Sequence, residues 1–183
     1  MLVVSYATPA YAAHAARLVR SCDACGVPYR VELRSSRGDW TRNGNDKASF
    51  LLGMLASHEG VLWLDADAEV AQPLPESIPQ AFGVHRLRGV QVCSGTLWVT
   101  RDARPLLEEW QRVCERRPHK SDQLNLEVAL RGARDPRGFD LSPAWCWIDD
   151  ISERFYGPRI IAPYVVHHQA SRTLREVECE SRF

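Results

Sequence analysis

Residues 60–64, Gly-Val-Leu-Trp-Leu, form a wholly apolar run that stops abruptly on Asp65-Ala66-Asp67. The run is strand-sized, and a strand with no alternating polar positions must be covered on both faces. Cover on two faces means helices packed on both sides of a sheet, a layered α/β architecture. In open sheets of that kind ligands collect beyond the strand ends, so the chemistry is expected where this strand gives way to carboxylates.

The rest of the chain fits such a sheet. Leu2–Tyr6 is a second apolar run, after which Tyr11, Ala15, Leu18, Val19 and Cys22 recur at helical spacing until Gly26 supplies a stop. Val27–Leu33 predicts another strand, and Ser35–Asn45 is polar and glycine-containing, which predicts a loop. Lys47, Phe50, Leu51, Met54 and Leu55 mark the next helix. Pro73, Pro75 and Pro79 enforce a link with little regular structure. Strands are expected at Ala81–His85 and Val90–Thr100, the second interrupted at Ser94-Gly95. Asp102 reads as an N-cap, with Pro105 in the first turn of a helix bearing Leu106, Leu107, Trp110 and Val113. Ser121-Asp122-Gln123 opens a further helix through Leu130. Ala144–Ile148 and Pro163–His168 read as short strands separated by a charged, aromatic loop, Asp149–Arg159. A chain of 183 residues suits one domain, so residues 1–183 are expected to form a single α/β unit with a Rossmann-like mixed sheet flanked by helices.

Lysine and arginine number 23, as do aspartate and glutamate. The zero net charge removes the basic footprint of a protein that lives on nucleic acid, although Arg34, Arg37, Arg42 and Lys47 leave a local patch open. No apolar stretch approaches the ~20 residues of a membrane span, and the first residues lack a basic start. A cytoplasmic location is the expectation. Cysteines 22, 25, 93, 114, 146 and 179 are scattered through core-like segments and read as reduced, mostly buried thiols. Cys22-Asp-Ala-Cys25 closes a helix, where redox pairs open one, and no second pair exists to complete a zinc site.

Asp65 and Asp67 stand two residues apart, so an extended backbone would turn both carboxylates to one side, where they suit a single hard cation. His167 or His168, ending a later strand, is positioned in sequence to add an imidazole. Oxygen ligands with one imidazole favour Mn²⁺ or Mg²⁺ over Zn²⁺, and such an ion is usually completed by phosphate oxygens. The plain alternative is a solvated acidic turn.

Val61 through Val70, followed by the proline-rich link, resembles the Asp-x-Asp segment of glycosyltransferases with the nucleotide-diphospho-sugar transferase fold, called GT-A. Further stretches follow in the order of that family. Lys47 through Leu55 is similar to the helix before the motif strand, and Cys93-Ser-Gly-Thr-Leu-Trp98 to the strand beneath donor and acceptor. Ser121-Asp-Gln-Leu-Asn125 is similar to a helix start bearing an Asp-Gln pair, and Pro163 through His168 to the strand whose histidine completes the metal shell. The pattern is nearest to glycogenin-like and related retaining families, without the extended tail motif of the glycogenin-like enzymes. The resemblance implies a nucleotide diphosphate sugar as donor, with Mn²⁺ or Mg²⁺ held by Asp65, Asp67 and His167, His168 being the substitute. It further implies donor contacts from Tyr6, Ala7, Thr8, Lys47, Asp65, Ala66, Gly95 and Arg172, and places Asp122 and Gln123 beside the reacting sugar, with retention. Each has a plain counterpart: Tyr6 as a core aromatic, Arg172 as a solvated arginine, Asp122 as part of a helix cap. Gly95 would let an acceptor approach the backbone.

A haloacid-dehalogenase-like phosphohydrolase also places Asp-x-Asp after a strand, though near the chain start, and a non-catalytic nucleotide-binding domain would use the same cleft. The acceptor is unread: a small molecule, a glycan and a modified base in nucleic acid all stay open.

Overall fold

The run that ends at Asp65 is a central strand of a six-stranded mixed sheet. The computed structural model describes residues 1–132, 139–157 and 162–170. In chain order the strands are β1 (Leu2–Ala7), β2 (Tyr29–Leu33), β3 (Gly60–Leu64), β4 (Ala68–Val70), β5 (Phe82–Leu87), β6 (Gln91–Thr100), β7 (Phe139–Leu141) and β8 (Val165–His167). The main sheet is ordered β2-β1-β3-β6-β5-β7, and β4 pairs with β8 in a separate two-stranded ribbon. The helices are α1 (Ala12–Ala24), α2 (Trp40–Asn45), α3 (Lys47–Met54), α4 (Arg104–Arg116), α5 (Asp122–Gly132) and α6 (Asp149–Tyr156). β1 pairs parallel with both β2 and β3, whereas β6 runs antiparallel to β3 and β5.

Successive residues of β1 and β3 supply opposite faces of the sheet. Val4, Val61 and Trp63 join Phe50 and Leu51 of α3, Leu107 and Trp110 of α4, and Leu126 of α5. Val3, Leu62 and Leu64 join Leu18 and Cys22 of α1, together with Val70 of β4 and Val165 of β8. Both cores are continuous across β3, which is why that strand tolerates no polar residue.

Several local expectations need correction. Ser35–Asn45 is not all loop: α2 forms because the Asp39 carboxylate accepts the Arg42 amide at its start, 2.8 Å away. Asp149–Arg159 likewise contains α6, which has Asp149 and Asp150 in its first turn, where acidic side chains favour a helix, and ends at Gly157 with φ 82°. Ala144–Ile148 is not a strand, because Pro143–Trp145 forms a 3-10 turn and only Trp147 bridges to Val166. Asp102 lies inside a 3-10 turn, Arg101–Ala103, and makes no cap. The four residues Arg34, Arg37, Arg42 and Lys47 do not form a basic patch, since each is paired with a carboxylate, of Glu32, Asp46, Asp39 and Asp65 respectively.

The irregularity expected near Ser94-Gly95 has a definite form. Val84 of β5 faces Leu97 of β6, yet the next residue, His85, faces Cys93. Ser94, Gly95 and Thr96 therefore have no partners on β5, although Thr96 still pairs with Leu64 of β3. Such a bulge frees a short stretch of strand to serve a site.

Candidate active site

Beyond the end of β3 the chain does not stay extended. The Ala68 amide donates to the Asp65 carbonyl at 2.9 Å, closing a turn over Asp65-Ala66-Asp67. The common direction of the two carboxylates comes from this turn rather than from a strand pleat. β8 then pairs antiparallel with β4, with Ala68 opposite His167, and this pairing delivers the imidazole from a hundred residues away to the acidic pair.

Each of the three side chains has one donor atom held by protein and another turned toward a shared space. Asp65 Oδ1 accepts Lys47 Nζ at 2.8 Å and Trp63 Nε1 at 2.9 Å. A Cβ built on Gly95 would lie 3.4 Å from Asp65 Oδ2, 3.1 Å from His167 Nδ1 and 2.8 Å from His167 Cε1. Gly95 thus makes room for the protein's own His167 and Asp65, which any side chain at that position would crowd. Asp67 Oδ2 accepts the Ala170 amide at 2.8 Å, while its Oδ1 lies 4.0 Å from His167 Nδ1. His167 Nε2 sits 2.8 Å from the Thr96 hydroxyl. Burial works to raise the Asp67 pKa, but His167 and the Ala170 amide outweigh it and hold the carboxyl below its usual value. His168 turns away, with Nε2 3.0 Å from Glu69 Oε2, so it is His167 that joins the pair.

Lys47 lies on the other side of Asp65. Its ammonium donates to Asp65 Oδ1 at 2.8 Å, to the Ser94 carbonyl at 3.0 Å and to Asp122 Oδ2 at 2.8 Å. An ammonium has three protons, so none remains for a donor phosphate. Burial alone would lower the Lys47 pKa, but Asp122 and Asp65 hold it well above the ordinary lysine value. Asp122 is 4% exposed, and its Oδ2 also accepts the Ser94 hydroxyl at 2.8 Å. The helix start is pinned because Trp110 Nε1 donates to the Asp122 carbonyl at 3.0 Å. Two carboxylates and a carbonyl thus surround one ammonium, and with Asp67 on the far side of Asp65 the formal charge of the acidic and lysine side chains together is negative.

Two cavities meet at this cluster, and Trp40, Asp65, Asp67 and Asp122 line both. The smaller, about 110 Å³, gathers Tyr6, Ala7, Thr8, Lys47 and Ala66. The Tyr6 ring packs on Phe50 and Trp63 with Arg34 above it, and its hydroxyl donates to the Asn43 carbonyl at 2.6 Å. It lines the cavity while serving as a core aromatic. The larger, about 1540 Å³, takes in Gly95, Gln123 and His167. Arg172 lies outside the described residues. Trp40, Trp63, Ser94 and Thr96 went unassigned in the sequence reading, although three of them stand inside the quoted motifs.

The donor set of two carboxylate oxygens and one imidazole nitrogen fits a hard divalent ion. Among the described residues no group of three or more His, Cys, Asp and Glu side chains is placed so that it could hold a metal ion. Asp65, Asp67 and His167 match a hard ion in the chemistry of their donor atoms only.

No protein-family model and no curated protein matches the chain. Solved structures do match. A glycosyltransferase involved in glycosylation of the major capsid of PBCV-1 aligns with a TM-score of 0.68 at 17% identity, covering 98% of each chain. The glycosyltransferase GlyE of Streptococcus pneumoniae TIGR4 aligns at 0.66 and 14%, over 98% of this chain and 60% of its own. The galactosyltransferase LgtC, solved with donor and acceptor sugar analogues, aligns at 0.61 and 14%, over 93% of this chain and 87% of its own. At these identities the likeness is one of architecture, and it shows that the chain has a GT-A-like glycosyltransferase fold.

Proposed function

We propose that the chain is a metal-dependent glycosyltransferase that moves a sugar from a nucleotide diphosphate sugar to an acceptor hydroxyl with retention. The observation that carries this reading is the orientation of Asp65, Asp67 and His167, each anchored through one atom and offering another to the same space between two cavities. The fold shared with glycosyltransferases supports it, as does the net negative charge of the cluster. Mn²⁺ or Mg²⁺ would be held by Asp65 Oδ2, Asp67 Oδ1 and His167 Nδ1, and would supply Lewis-acid stabilisation of the departing diphosphate.

The chain's own residues would do the rest. Lys47 bridges Asp65 Oδ1 and Asp122 Oδ2, so both carboxylates are fixed in place by the protein's own cation. Thr96 orients the imidazole so that Nδ1, not Nε2, faces the carboxylates. The smaller cavity beside Tyr6-Ala7-Thr8 suits the nucleoside part of the donor, and the larger one suits sugar and acceptor. Asp122, engaged by Lys47 and Ser94, is suited to holding charge near a cationic sugar-like transition state rather than to removing a proton. Gln123, facing the larger cavity, is a polar contact for the sugar.

Calorimetric titration with uridine and guanosine diphosphate, with and without Mn²⁺, tests the reading. Metal-dependent affinity for at least one is expected. Equal binding in chelator and in Mn²⁺ would refute the metal role, and binding without hydrolysis or transfer to any acceptor would identify a non-catalytic domain.

A further inference from the structure

We infer that Cys93 and Cys146 form a peroxide-reactive dithiol site in the wall of the larger cavity. Nothing in this inference depends on sugar transfer. The two thiols come from separate elements, β6 and the residue after the Pro143–Trp145 turn, and are 7% and 2% exposed. They share one small cluster with Leu87, against which Ile151 and Tyr156 pack, and both line the cavity, through which a small oxidant can arrive.

The pair is chemically asymmetric. The neighbouring Cys146 thiol lowers the Cys93 pKa despite burial, while Cys93 and then burial push Cys146 up; the Cys93 thiol donates to the Gln91 carbonyl at 3.7 Å, a weak contact that leaves its sulfur facing the cavity. Cys93, on the cavity wall and the more exposed of the two, is therefore the nucleophile, and the more deeply buried Cys146 the resolving thiol. Elsewhere burial prevails, pushing Cys22 up to about 12 and Cys114 up to about 11.

With a hydroperoxide as oxidant, Cys93 thiolate attacks the terminal oxygen, the O–O bond breaks, and a sulfenic acid forms on Cys93 while hydroxide or alkoxide leaves and takes up the proton lost by Cys93. The Cys146 sulfur then attacks the Cys93 sulfur, the S–O bond breaks, and the oxygen departs as water with the Cys146 proton. Two thiols are oxidised to one disulfide and the peroxide is reduced. A disulfide of about 2.05 Å is much shorter than a thiol contact, so it draws the two backbones together. One leads directly into Ser94, whose carbonyl accepts from Lys47, and the other into Trp147, whose carbonyl accepts the His167 amide at 2.7 Å.

The test is peptide mapping of the full reduced chain after a small excess of hydrogen peroxide. A Cys93–Cys146 linkage reversed by dithiothreitol is expected, together with alkylation of reduced Cys93 by iodoacetamide at least about tenfold faster than that of Cys114. In Cys146→Ser, dimedone should trap a sulfenic acid on Cys93; in Cys93→Ser, Cys146 should stay alkylatable. A different pair linked first, no dimedone adduct in Cys146→Ser, or loss of the Cys146 thiol in Cys93→Ser would overturn the assignment.

Discussion

The two oxygens of Asp65 belong to different electrostatic regimes. Around Oδ1 lies a closed cluster, in which Lys47 bridges Asp65 and Asp122 and every lysine proton is accounted for. Around Oδ2 lies an open one, in which Asp67 Oδ1 and His167 Nδ1 stop 4.0 Å apart and, among the described residues, no lysine or arginine is ion-paired with Asp67. Buried charge with full compensation holds a structure in place, and removing one partner strands the other. Incomplete compensation makes a ligand-ready surface.

Substitutions separate the two regimes. Lys47→Met should cost the most, about 3–5 kcal/mol in urea unfolding, because Asp122 is left buried without its counter-charge. An unchanged midpoint would show that the closed cluster is not structural. Asp67→Asn keeps an acceptor for the Ala170 amide but removes the open charge. Metal-dependent donor hydrolysis or transfer should fall about 10²-fold while stability moves by less than about 1 kcal/mol. Equal losses of stability and turnover would erase the distinction. Thr96→Val leaves His167 free to rotate, and Mn²⁺ affinity measured by titration should drop about tenfold.

His85 offers the smallest and finest comparison, a buried titratable group with a neutral partner. Its Nδ1 lies 3.0 Å from the Leu141 carbonyl, which can only accept, so that nitrogen carries a proton, and burial lowers the pKa below the usual 6.5. The unfolded chain therefore binds the second proton first as pH falls. His85 leaves stability intact above about pH 6.5 and erodes it below, by at most about 1.4 kcal/mol per pH unit. His85→Gln should flatten the melting temperature between pH 7 and 5, and an unchanged slope would assign that slope to other groups.

The parallel half of the sheet was legible because β1 and β3 are buried on both faces and their apolar runs cannot be mistaken for surface. The acidic pair and His167 were legible for a related reason, since carboxylates and imidazole at strand ends have few structural uses. What escaped was set by tertiary packing. α2 contains Asn43, Gly44 and Asn45, poor helix formers, and it is held against α5 so closely that a Cβ on Gly44 would lie 3.1 Å from Asp122 Oδ1. α6 shows only Ile151 and Phe155 as apolar signals at helical spacing. The role of Lys47 was hidden because a lysine at a helix start reads as solvent-facing, and only the fold brings Asp122 to it from 75 residues away.

The bulge of β6 has one more implication, for motion. Ser94 touches Lys47 and Asp122, Gly95 accepts the Asp65 amide at 2.8 Å, and Thr96 steadies His167. Three consecutive backbone units thus service both halves of the cluster, and any opening fluctuation there would loosen them in concert. Amide exchange at Asp65, whose proton the Gly95 carbonyl holds, should then report the opening of the whole site, which breathes as a single body.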